Sequence, residues 1–177
     1  MEERVGEAFE LDERLTVIGN KLQPGDAAPD FILDSLDSAD ATVQNVRLTD
    51  STGMVRVLNV VNSLDTPVCN TETLHWEKAR SELPSDICIY TVSMDLPYAQ
   101  ARWRTSENVT HQVLSSHRSE QFGRDYGVLV KEWRLLQRAV FVVDRGGHIV
   151  HAEYVADQMK EPDYIAAMEA AHQAAVG

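Results

Sequence analysis

MVRVLNVVNSLDTPVCNTETLHWEKAR, Met54 to Arg80, is the stretch on which the fold turns. Val55, Val57, Leu58, Val60 and Val61 make a short, nearly continuous apolar run, the pattern of a strand covered on both faces in an α/β sheet. The run breaks at Asn62, and Ser63, Asp65, Thr66 and Pro67 follow. Short oxygen side chains accept from the free N–H groups of a helix start, and proline in the first turn gives up an N–H that has no partner there. A helix is therefore expected past this corner, running through Cys69 to about Leu83, with Pro84-Ser85-Asp86 as its stop. Cys69 then sits in or near the first turn. Unpaired N–H groups and aligned peptide dipoles favour negative charge there, so such a thiol should ionise more readily than one in a free chain.

Downstream, Ile87 to Ser93 reads as the next buried strand, which closes one βαβ unit. Pro97 to about Ser106 reads as a second helix, Val109 to Ser116 as a loop or edge segment, and Ser119 to Tyr126 as a short helix ended by Gly127. A mostly irregular stretch through Trp133 is expected next. Ala139 to Val143, the turn Asp144-Arg145-Gly146-Gly147, and His148 to Val155 form a β-hairpin pattern. Pro162 and Asp163 open a last helix in which Ile165, Met168 and His172 recur at helical spacing. Upstream, Phe9, Leu11, Leu15, Val17 and Ile18 flank a turn-like Asp12-Glu13, a small amino-terminal hairpin. Phe31-Ile32-Leu33 is a short strand, Asp34 to Ala41 a polar loop, and Thr42 to Leu48 an alternating segment.

The chain has 177 residues, 44% of them hydrophobic and 25% charged, which suits one soluble domain with a sizeable core and no need of a disulfide staple. A formal charge of −12 repels phosphate backbones and anionic lipid, so nucleic acid and membrane surfaces are excluded as partners. No apolar run approaches the roughly 18 residues that span a bilayer, and the charged amino end is unlike a signal peptide, so a cytoplasmic location is the default expectation. Two cysteines, Cys69 and Cys88, are too few for a disulfide framework.

Cys69 follows a polar corner, which argues against a merely core-filling cysteine. Glu72 stands three residues on, so a C-x-x-C dithiol is not available and a monothiol reaction remains. Thr66 either caps the helix or turns its hydroxyl toward the sulfur. Cys88, between Ile87 and Ile89, belongs to the core of a buried strand. The histidines form no recognisable metal site: His148 and His151 point to opposite faces of a strand, and His75 lies on a different side of the helix from Cys69. Trp76, Trp103 and Trp133 are too scattered for a stacking platform and serve better as core anchors. No cofactor and no metal are expected.

Ser63-Leu64-Asp65-Thr66-Pro67-Val68-Cys69, with Asn70-Thr71-Glu72-Thr73 behind it, resembles the active-site segment of the thiol peroxidases, the Tpx branch of the peroxiredoxins. Ser93-Met94-Asp95-Leu96-Pro97-Tyr98-Ala99-Gln100-Ala101-Arg102-Trp103 resembles a second segment of that family. Arg138-Ala139-Val140-Phe141-Val142-Val143-Asp144 resembles a third, and Gly25 to Phe31 extends the likeness to the amino end. The resemblance implies an α/β, thioredoxin-like fold, here with an N-terminal β-hairpin extension, in one domain over residues 1–177. It implies peroxide reduction through a Cys69 sulfenic acid, with Thr66 orienting the peroxide. It also selects Arg138 over Arg134 as the fixed guanidinium that stabilises the thiolate and polarises the O–O bond. A homodimer is implied as well.

Two positions depart from the family's pattern. Asn62 stands where the family usually has proline, and Arg104 stands where its resolving cysteine falls. The usual internal disulfide is therefore ruled out. A one-cysteine mechanism with an external thiol, a thioredoxin-like protein or a low-molecular-weight thiol, is expected. The alternative is a catalytically degenerate relative acting as a redox sensor or binding module.

Overall fold

A computed structural model describes residues 1–36 and 39–177. Its centre is the strand read from the Val55 run, β5 (Val55–Val60), with every residue buried. Arg56 and Asn59, which interrupt the apolar pattern, are buried too, because each finds partners. Arg56 Nη1 donates to the carbonyls of Met54 and Asp144, and Asn59 Nδ2 to the Thr91 hydroxyl at 3.0 Å. After the corner comes α1 (Pro67–Arg80), which ends three residues short of Leu83, and then β6 (Ile87–Ser93), parallel to β5. The βαβ unit thus forms as its local pattern dictates.

The remaining elements complete a seven-stranded sheet and a smaller one of four strands. Upstream lie β1 (Glu3–Glu10), β2 (Glu13–Ile18), β3 (Ile32–Leu36) and β4 (Val43–Arg47). Downstream lie α2 (Pro97–Glu107), β7 (Gln112–Ser115), α3 (Gln121–Asp125), β8 (Leu129–Val130), β9 (Leu135–Leu136), β10 (Ala139–Val143), β11 (Ile149–Tyr154) and α4 (Tyr164–Val176). The strand order is β11-β10-β5-β6-β7-β3-β4. Alternate residues of the central strands go to opposite faces. Val55, Val57, Ile87, Ile89, Val140 and Val142 pack under α1 and α4, against Trp76, Ala79, Ala167 and Ala171. Leu58, Val60, Tyr90, Val92, Phe141 and Val143 pack on the other face with Phe31, Phe122 and Tyr126.

Several expectations are corrected. The segment Val109 to Ser116 is no edge: β7 lies inside the sheet, parallel to β6 and next to β3. Its polar residues His111, Ser115 and Ser116 are buried and hydrogen-bonded. The stretch expected to be irregular contains β8, and with β9 just beyond it this strand joins β1 and β2 in a second sheet of order β1-β2-β8-β9. Two-residue strands carry no periodicity of their own; β8 exists because Val17 and Ile18 of β2 pair with it. The amino-terminal hairpin turns at Leu11-Asp12, with Leu11 at φ 51°, one residue before the expected place. On α4, of the residues at the expected helical spacing, Met168 packs against the core but Ile165 is 72% exposed, and the small Ala167 and Ala171 form the buried stripe. The expected loop Asp34 to Ala41 begins later, since β3 runs to Leu36, and Asp37 and Ser38 lie outside the described residues.

Candidate active site

The corner after β5 is fixed by one carboxylate. Asp95 accepts from the Ser63 hydroxyl at 2.7 Å, the Leu64 N–H at 2.9 Å and the Ser93 hydroxyl at 2.7 Å. This ties the end of β6 to the start of α1 and gives a physical reason for Ser93 and Asp95 in the second motif. Thr66 occupies the N-cap position in extended conformation, with Pro67 in the first turn. Its hydroxyl makes no cap bond and instead donates to the Ser63 carbonyl at 2.8 Å. The plain capping reading therefore falls away, and the lone pairs of Oγ1 are not used on the helix.

Cys69 lies one turn into α1 and is fully buried among Val61, Leu64, Trp103, Val109 and Val113. Trp103 Nε1 donates to Asn70 Oδ1 at 2.9 Å, and the Thr73 hydroxyl donates to the Cys69 carbonyl at 2.8 Å, so the turn carrying the thiol is held from both sides. Arg138, expected at a strand start, is buried, and its Nη1 stands 3.3 Å from Cys69 Sγ. Arg134 is elsewhere, at the surface and paired with Glu120.

The guanidinium is held by four groups. Besides the sulfur, Nη1 pairs with the Glu72 carboxylate, while Nη2 donates to Asn62 Oδ1 at 3.3 Å and to the Gln158 carbonyl at 2.8 Å. Burial works against the charge on Arg138, but Glu72 and Cys69 outweigh it and raise its proton affinity further. Burial pushes the Glu72 carboxyl up to about 8, against the pull of Arg138. One cation thus faces two acidic groups in a dry site, and burial raises the Glu72 carboxyl against the pull of that cation.

Sequence reasoning did not assign Glu72 or Gln158 to the site. Glu72 had a signal: three residues after Cys69 on a helix, it shares the same face. Gln158 had none, since it follows β11 in an irregular segment. Asn62, read as a departure, is a full member. Its Nδ2 donates to the Leu136 carbonyl at 2.6 Å and to Gln158 Oε1 at 3.0 Å.

The other singled-out residues lie apart. Cys88 is opposite Arg56, four residues before the end of β5. That is about 13 Å down the strand at roughly 3.3 Å per residue. It packs with the cluster on the far face, and burial pushes its thiol up. Arg104, at the end of α2, donates to the Thr110 carbonyl at 3.3 Å. His75 stacks on Tyr164 with ring centroids 3.7 Å apart. Among the described residues no group of three or more His, Cys, Asp and Glu side chains could hold a metal ion, and no helix is long and apolar enough to cross a membrane.

A second network, reaching from a half-buried Glu77 to the buried His111 and Thr91, braces α1. Glu77 accepts from the Thr110 N–H at 2.9 Å, the His111 N–H at 3.1 Å and His111 Nδ1 at 2.6 Å, and His111 Nε2 meets the Thr91 hydroxyl at 2.8 Å. Burial alone would raise the Glu77 carboxyl, but its bonds from His111 and Thr110 prevail and hold it well below the usual carboxylate range.

Residues 24–152 match the AhpC/TSA family. The chain is 42% identical to a thiol peroxidase of Streptococcus sanguinis over 90% of its length and 95% of the relative's. It is 39% identical to a thiol peroxidase of Bacillus subtilis over 89% of its length and 91% of the relative's. A crystal structure of a peroxiredoxin-like protein from Aquifex aeolicus superposes with a TM-score of 0.85 at 29% identity, covering 96% of this chain and 98% of that one. The chain therefore belongs to the AhpC/TSA family, with the thioredoxin-like fold of the peroxiredoxins. Within it the chain stands in the thiol peroxidase branch, as a peroxiredoxin-type enzyme.

Proposed function

We propose that this enzyme reduces peroxides by a one-cysteine mechanism in which Cys69 is the nucleophile, Arg138 the electrostatic stabiliser and Thr66 the residue that orients the peroxide. The observation that carries this reading is the buried contact of 3.3 Å between Arg138 Nη1 and Cys69 Sγ at the first turn of α1. Cys69 thiolate attacks one peroxide oxygen, the O–O bond breaks, and the electron pair leaves on the other oxygen, which takes a proton to become water or an alcohol. Arg138 favours the thiolate and the charge that develops on the leaving oxygen. The sulfur is left as a sulfenic acid. An external thiol condenses with it, releasing water, and a second thiol equivalent frees Cys69 from the mixed disulfide.

The distance and opposite faces of Cys69 and Cys88 support this route over an internal disulfide, which needs Cα atoms within ~7 Å. The reductant is a thioredoxin-like protein or a low-molecular-weight thiol, and the enzyme works in the cytoplasm. Residues 1–177 act as one domain, and two copies form a homodimer. Leu96 and Tyr98, exposed beside the Asp95 that holds the active-site corner, supply apolar surface for such a contact. The complete burial of Cys69 favours a second reading, a sensor that oxidises once without turning over.

The test is a steady-state peroxide assay with an external dithiol, paired with intact mass and non-reducing peptide mapping after one equivalent of peroxide. Turnover is expected in wild type and Cys88→Ser and absent in Cys69→Ser, with a diketone-trappable sulfenic acid on Cys69. A disulfide between Cys69 and Cys88 would overturn the one-cysteine mechanism, and oxidation without turnover would leave the sensor reading.

A further inference from the structure

The orientation of the Asn62 amide is fixed by a chain of hydrogen bonds. Gln158 Nε2 donates to the carbonyls of Val155 at 2.6 Å and Ala156 at 3.0 Å, which turns Gln158 Oε1 the other way. That oxygen accepts from the Arg138 N–H at 2.9 Å and from Asn62 Nδ2 at 3.0 Å, and the Leu136 carbonyl also accepts from Asn62 Nδ2. Both partners of Nδ2 are acceptors, so a flipped amide would set oxygen against oxygen twice. Asn62 Oδ1 is therefore locked toward the reactive sulfur. One of its two lone-pair directions meets Arg138 Nη2 at 3.3 Å, and the other faces Cys69 Sγ at 3.9 Å.

An acceptor aimed at a sulfur does little for a thiolate, which has no proton to donate. It suits the oxidised form. A 3.9 Å gap spans one S–O bond and one O–H···O contact of about 2.8 Å joined at an open angle. From the proposed function above, on which this rests, we infer that Asn62 Oδ1 accepts a hydrogen bond from the hydroxyl of Cys69 sulfenic acid and protects the oxidised sulfur from a second oxidation.

The chemistry of overoxidation explains the protection. The sulfenic acid must first lose its proton; the sulfenate sulfur then attacks a second peroxide, the O–O bond breaks, and sulfinate and an alcohol or water result. An acceptor that holds the proton in place opposes the first of these steps. The need is acute in this chain. Cys88 is on the far face of the sheet, so no internal thiol removes the sulfenic acid quickly, and it must last until an external thiol arrives.

The experiment uses the full chain in a Cys88→Ser background, with Asn62→Pro and Asn62→Leu, cumene hydroperoxide as oxidant and dithiothreitol as reductant. Asn62→Pro places there the residue of the family's usual pattern, so it guards against a leucine variant that fails to fold. Two quantities are read separately: the rate of sulfenic acid formation, and the fraction of Cys69 converted to sulfinic acid per turnover, by intact mass. A neutral hydrogen bond alters an equilibrium by roughly three- to tenfold, and the overoxidised fraction per turnover should rise by that factor in both variants. A fraction equal to wild type in a folded, turning-over variant would overturn the inference. Failure of the unsubstituted background to form any sulfenic acid would instead refute the proposed function. A general loosening of the site would slow sulfenic acid formation without raising the sulfinic fraction, and that outcome would also refute a role for the Asn62 oxygen.

Discussion

Replacing Glu72 by glutamine should change how stability depends on pH. Glu72 is fully buried, its Oε2 engages Arg138, and its Oε1 has no hydrogen-bond partner. Burial raises its carboxyl from 4.5 to about 8. Between those values the unfolded chain has released the proton while the folded one keeps it, so the folded state binds more protons and stability falls as pH rises. The contribution is fully present below 4.5 and is lost as pH passes through about 8. Each tenfold in proton affinity is worth about 1.4 kcal/mol, which makes the whole span roughly 5 kcal/mol. The glutamine amide does not titrate. Urea unfolding of wild type and Glu72→Gln, at about pH 5 and about pH 8.5, should show the variant gaining several kcal/mol on wild type at the higher pH. An equal difference at both would refute the reasoning. A wild type that gains on the variant as pH rises would mean that the pull of Arg138 exceeds the cost of burial and that Glu72 is ionised in the fold.

Arg138→Met should slow sulfenic acid formation by roughly 10²–10³-fold, the usual cost of one preorganised donor in a dry site, and stopped-flow peroxide consumption would measure it. A change of less than tenfold would remove Arg138 from the chemistry. Glu77→Ala should cost about 2–4 kcal/mol in urea unfolding near neutral pH, because it leaves His111 and Thr110 donors without their charged acceptor. Since the Glu77 carboxyl is held below its usual range, its contribution is present above that range and is lost as pH falls, so the penalty of the alanine variant should shrink in acid.

The parts of the fold legible in the sequence are those whose pattern is local. β5, α1 and β6 declare themselves because a β-branched run, a polar corner with proline and a second apolar run each need only their own neighbours. β7 did not, since the polar residues in and beside it find partners far along the chain: His111, just before it, meets Glu77, 34 residues away. β8 is invisible because its pairing energy comes from β2, more than a hundred positions upstream. On α4 the spacing of Ile165, Met168 and His172 marks the helix but not its contact, because a helix that lies close on a sheet of valines needs small residues there, which leaves Ile165 to solvent.

The site divides along the same line. Cys69 and Thr66 follow from a helix start, and Arg138 came from a resemblance between motifs. What joins them is a set of buried amides and carboxyls, and a side chain's burial is not written in its neighbours. Proline at position 62 would stiffen the corner by its ring, a property of one residue. Asn62 stiffens it through Leu136, Gln158 and Arg138, three residues brought there by β9, β10 and the segment after β11. A ring holds regardless of its surroundings, whereas a buried polar network holds only while other segments keep supplying its partners. The order of this active site therefore depends on the segment Val155 to Gln158. That segment binds Asn62 and Arg138 at once, so a disturbance there reaches the guanidinium and the oxidised sulfur together.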